Sequence, residues 1–180
     1  MTAETSIPAL AELTAVPYLN EAGDIPTEFQ GSIGVYAICD RDRALQYVGY
    51  SRDISLSLKQ HLVRVPHLCY WVKAWAIARP DRTVLEATKT AWIEEYGTMP
   101  PGNGADEALW TQPIDVGDRM TAEEREGLAR QPDELGRSQF LKQVSRRVEQ
   151  ALKDAVEARG ASITLRFNPK YKEKGLLDLK

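Results

Sequence analysis

Gly34-Val35-Tyr36 and Tyr47-Val48-Gly49 flank the polar stretch Asp40-Arg41-Asp42-Arg43, and the reading of this segment decides the fold. Ile33 to Cys39 is rich in β-branched and aromatic residues, which suit a pleated, half-buried surface. Ala44 to Gly49 has the same character, and the charged turn between them makes the pair a hairpin. Ser51-Arg52-Asp53 follows, with Asp53 placed to cap a helix in which Ile54, Leu58 and Leu62 recur at spacings of four.

Outward from the hairpin, Pro66 ends that helix, and the aromatic run Cys69 to Ala78 reads as a third strand. Asp81 caps a helix over about 83–96, with Leu85, Thr88, Trp92 and Ile93 on its inner face. Pro100-Pro101-Gly102-Asn103-Gly104 closes the segment. Residues 1–30 read as an irregular lead-in broken by Pro8, Pro17, Gly23 and Pro26. Residues 105–136 read as an acidic loop without apolar period. Residues 137–180 read as an amphipathic helix capped by Ser138 and stopped at Gly160, a short strand from Ser162 to Phe167, and a basic tail.

Composition is that of an ordinary globular chain: 43% hydrophobic, 27% charged, with a formal net charge of −3. No overall basic excess marks a protein that grips long nucleic acid, so any such face is local. No signal segment or membrane span is read from the N-terminal region, where Pro8 and Glu12 interrupt the apolar stretch. Cys39 and Cys69 are too few for a disulfide framework or zinc cage. They read as small buried residues, with a redox-responsive bridge between them kept as an alternative.

The order of elements, the two tripeptides, Ser51-Arg52-Asp53-Ile54, His61 and Asn103 together resemble the GIY-YIG nuclease superfamily over about residues 31–104. His67-Leu68-Cys69, Trp92-Ile93-Glu94-Glu95 and Met99-Pro100-Pro101-Gly102-Asn103 also look like the front domain of plant chloroplast monothiol glutaredoxins and its stand-alone cyanobacterial relatives. The resemblance implies a small α/β fold: a three-stranded, mainly antiparallel sheet flanked by helices, here with a C-terminal helical extension. It also implies a cyanobacterial cytosol, or the chloroplast stroma for a plant chain.

For the site, the resemblance puts paired tyrosines at Tyr36 and Tyr47, a proton-transferring histidine at His61 and a phosphate-side asparagine at Asn103. Each also has a plainer reading: a core tyrosine with a satisfied hydroxyl, a helix-end histidine, a turn asparagine. Two positions depart from the pattern. Ser57 stands where the resemblance expects the arginine that stabilises transition-state charge, with Arg52 as the nearest substitute. Lys89 stands where it expects the metal-binding glutamate, and Glu86, one turn earlier, is the only stand-in.

The expectation is therefore a degenerate member that hydrolyses weakly or not at all and serves as a binding or regulatory module. Its partner, protein or nucleic acid, stays open, and no small-molecule cofactor is implied. The alternative is an active endonuclease using Mg or Mn held by Glu86.

Overall fold

Alternation along the hairpin sets the whole first layer. In the computed structural model, which describes residues 6–180, strands β2 (Ile33–Cys39) and β3 (Leu45–Ser51) pair antiparallel with Tyr36 opposite Gly49. Odd positions Val35, Ala37 and Cys39 face one side of the sheet, and Tyr36 and Ile38 face the other. Gly49 has to be glycine. A Cβ there would lie 2.6 Å from the Tyr47 ring and 2.9 Å from the Tyr36 hydroxyl. The turn puts Arg43 in the left-handed region (φ 66°), and its guanidinium sits 4.1 Å from the centre of the Trp71 ring.

β4 (Trp71–Ile77) lies on the other side of β2, also antiparallel. The expected three strands are joined by a fourth. β1 (Val16–Pro17) pairs with Val72 and Trp71, giving the order β1-β4-β2-β3. This strand sits inside the segment read as irregular. It is only two residues long and ends in a proline, so it carries no alternating pattern to read.

Each face of the sheet takes one helix. α1 (Ile54–Arg64) starts where the Asp53 carboxylate accepts from Leu56 N at 3.2 Å, and it buries Ile54, Leu58 and Leu62 completely. Each such side chain contributes about 1.5–3 kcal/mol of burial. α2 (Arg82–Tyr96) is capped by Asp81 and stopped by Gly97 at φ 89°. It lays Leu85 and Trp92 on Val35, Ala37 and Val48, with Ile93 only partly covered.

The lead-in is tied down by side chains. The Glu95 carboxylate accepts from Leu10 N (2.6 Å) and Ala11 N (3.1 Å), Trp92 Nε1 donates to Pro8 O, and Lys73 Nζ donates to Leu10 O. This forms a strap across α2 and β4. The residues to Trp110 make one compact unit, which includes most of α3 (Glu107–Thr111).

Thr111–Lys180 make a second unit. Here the acidic stretch is not a loop. Besides α3 it holds β5 (Ile114–Asp115), α4 (Ala122–Ala129) and the start of α5 (Glu134–Ala158). Its acids are helix-start chemistry: Thr121 and Glu124 form a capping box, and Asp133 caps α5. α5 thus begins four residues before Ser138, in a first turn whose Leu135 is exposed and so carries no buried-face signal.

Val144, Val148, Leu152 and Val156 form the buried stripe, and Gly160 (φ 98°) ends the helix. Ser162–Phe167 is not a strand. Only Phe167 makes an isolated bridge, to Leu179. α6 (Pro169–Lys172) and β6 (Leu176–Leu177) complete the unit, with β6 paired to β5. Among the described residues, no helix is long and apolar enough to cross a membrane.

Candidate functional site

Tyr36 on β2, Tyr47 on β3 and His61 on α1 converge on the α1 face of the sheet. The Tyr36 hydroxyl and His61 Nε2 are hydrogen-bonded at 2.8 Å, and the tautomer of the ring sets which of the two donates. The Tyr47 ring lies 4.7 Å from His61 and 6.1 Å from Tyr36, centre to centre. The cluster has a cover. The Trp110 indole from α3 stacks on Tyr47 at 5.2 Å and 7°, and lies 5.5 Å from His61. Exposure falls to 2% for Tyr36, 8% for Tyr47, 4% for His61 and 0% for Trp110.

Burial governs the electrostatics. His61 is pushed down to about 3, first by desolvation and then by the Arg64 charge. Tyr36 is pushed far up by burial and by Tyr47, and Tyr47 is raised by burial. Near neutral pH the pair is therefore an uncharged imidazole hydrogen-bonded to a protonated phenol. An imidazole this weakly basic is a poor acceptor for a proton from attacking water.

α1 delivers three polar groups to this place because Ser57, His61 and Arg64 fall at i, i+4 and i+7 on one helix face. Ser57 lies against the Tyr36 hydroxyl and donates to Ser51 Oγ at 2.8 Å. Arg64 donates from its guanidinium to the Trp110 carbonyl at 2.8 Å, and its charge bears on Tyr36, Tyr47 and His61. Arg64 is thus the arginine of this cluster. Arg52 is exposed and lines a different cleft, with Tyr50, Ser51, Pro80 and Arg82.

The other expected residues sit elsewhere. Asn103 serves the β3 edge, where its Oδ1 accepts from Val48 N and its Nδ2 donates to Val48 O, both at 2.8 Å. Glu86 is on α2, across the sheet from Tyr36. It accepts from Arg82 Nε at 2.8 Å and from the Tyr50 hydroxyl at 3.1 Å, and these bonds hold its carboxyl below the usual range. Lys89 is half-buried on the same helix.

A divalent ion at Glu86 would compete with Arg82 and meet Lys89, so this donor set does not fit a metal. Among the described residues, no three His, Cys, Asp or Glu side chains gather to hold one. Cys39 and Cys69 are buried and joined by no disulfide, and desolvation raises the Cys39 thiol.

Comparison with known proteins adds one relationship. No protein-family model matches the chain. It is 40% identical over 103 residues to the bifunctional monothiol glutaredoxin-S16, chloroplastic, of Arabidopsis thaliana, covering 55% of this chain. The likeness is one of a shared domain. The chain spans only 33% of that relative's length.

Trp110 was not among the site residues legible in the sequence, and Arg64 was legible only as one of several bases that could draw phosphate to the cleft. The helical spacing from Ser57 through His61 points to Arg64. Trp110 gave a fainter signal, as the sole tryptophan in the stretch read as loop.

Proposed function

We propose that the chain is a GIY-YIG-type domain that keeps the tyrosine–histidine arrangement but hydrolyses phosphodiesters weakly or not at all, and that it works as a binding or regulatory module. One observation carries this reading: the Tyr36–His61 pair is sealed beneath Trp110, while Glu86 and Lys89 lie on the opposite face of the sheet. Water, phosphate and metal anchor have no common place to meet in that arrangement. Ser57 at the expected arginine position removes charge stabilisation as well.

The partner class follows charge. Acidic residues outnumber basic ones up to Trp110, which favours a protein partner for the first unit, whereas bases outnumber acids from Thr111 on. The relative is named bifunctional, and this chain spans a third of it, which supports a module that works beside another activity. Cytoplasmic or stromal placement belongs to the same reading.

The test is incubation of the purified chain with supercoiled plasmid and magnesium or manganese. No nicking above a buffer control is expected. Nicking that Tyr36→Phe abolishes would establish the endonuclease instead.

A further inference from the structure

The cover over this cluster is poorly satisfied. Trp110 Nε1 is buried and reaches no hydrogen-bond partner among the described residues, which leaves its desolvation uncompensated. His61 Nδ1 is likewise buried and has no hydrogen-bond partner among the described residues, although the Trp110 backbone lies beside the ring. The indole is held instead by stacking on Tyr47 and by Arg64 gripping its carbonyl. Its helix α3 has only five residues, too short to hold its own position. Beside it, Gly102 lets the indole press against the β3 edge, since a Cβ there would lie 2.8 Å from the ring.

We propose that Trp110 is a displaceable stopper, seated while His61 is neutral and released when His61 takes up a proton. The proposal rests on reading this cluster as the functional site and adds its regulation. The groups facing His61 are Tyr36 from β2, Tyr47 from β3, Arg64 from its own helix and the Trp110 backbone from α3. Glu107 of α3 acts on Tyr47. An imidazolium in this closed space would be desolvated beside the Arg64 guanidinium, and release of the indole relieves both penalties by admitting water.

The sign follows from linkage. The seated state holds His61 at about 3, and an exposed histidine titrates near 6.5. Seating is therefore fully favoured above that value and weakens as pH falls from it toward the lower one, by about tenfold per pH unit. Release also changes the cluster's chemistry, because a closed aromatic interior becomes an open hollow lined by the Arg64 guanidinium and an imidazolium.

The experiment is fluorine NMR of the intact chain labelled with fluorotryptophan, titrated from about pH 8 to about pH 4.5. Trp110→Phe assigns its signal among the four tryptophans. The Trp110 signal is expected to move toward its solvent-exposed position below about pH 6.5 while those of Trp71, Trp75 and Trp92 hold. The His61→Gln variant is expected to lose that response.

A Trp110 signal that stays fixed until all four collapse together overturns the proposal, and so does an unchanged profile in His61→Gln. Where that variant does not fold, the wild-type His61 ring resonance is followed, and a midpoint separate from that of Trp110 overturns it equally. Plasmid nicking would remove the functional reading and leave the stopper standing; an immobile Trp110 would do the reverse.

Discussion

The Asn103 carboxamide occupies the place of a neighbouring strand at Val48, donating to its carbonyl and accepting from its amide at 2.8 Å each. An open sheet edge exposes unpaired groups that recruit other chains, and here one side chain closes β3 at its midpoint. Asn103→Ala is expected to cost about 1–3 kcal/mol by leaving both groups without their partner. Chemical denaturation measures this; unchanged stability would contradict it. Asn103→Asp keeps the acceptor and loses the donor, so an intermediate loss is expected.

Tyr36→Phe removes the hydroxyl bonded to His61 Nε2 and leaves a buried ring nitrogen unsatisfied. The expected loss is about 1–3 kcal/mol, large for deletion of one oxygen. Thermal unfolding reads it. A variant as stable as the parent would show that the bond contributes nothing net.

Acid should weaken the fold through His61. Its folded-state value of about 3 lies below the unfolded 6.5, so the unfolded chain binds the extra proton between those limits. Stability is fully present above the upper value and falls by roughly 1.4 kcal/mol per pH unit below it while Trp110 stays seated, the slope flattening once its release lets the folded chain bind the same proton. Urea midpoints at several pH values check the slope, which His61→Gln should flatten.

Gly49→Ala would drive a methyl into the Tyr47 ring and the Tyr36 hydroxyl, both of them buried. A loss of about 1–3 kcal/mol or more is expected, with altered near-ultraviolet dichroism from the tyrosines.

The hairpin, both sheet-facing helices and their caps were legible because each has a strong local cause. Asp53 and Asp81 stand one residue before the helices they cap, and Gly97 and Gly160 follow the last turn. The acidic stretch was opaque for a physical reason: α4 buries none of its residues, so it has no apolar period, only a capping box.

At the site, the sequence brought Tyr36, Tyr47, His61 and Ser57 to one place, and all four are found there. It missed that Glu86 lies across the sheet, because a helix reading gives the face of a residue and not the side of the sheet it covers. Asn103 was placed by likeness at the phosphate, and its own turn puts it on the β3 edge instead.

The strap formed by Pro8 to Ala11 has a practical corollary for anyone trimming this chain. A fragment beginning near Gly31 would strip Glu95 and the Trp92 indole of their bonded partners and bare the flank of β4 from Trp71 onward. Such a piece would keep every residue of the tyrosine–histidine cluster and still tend to self-associate, so its behaviour in solution would misrepresent the parent protein.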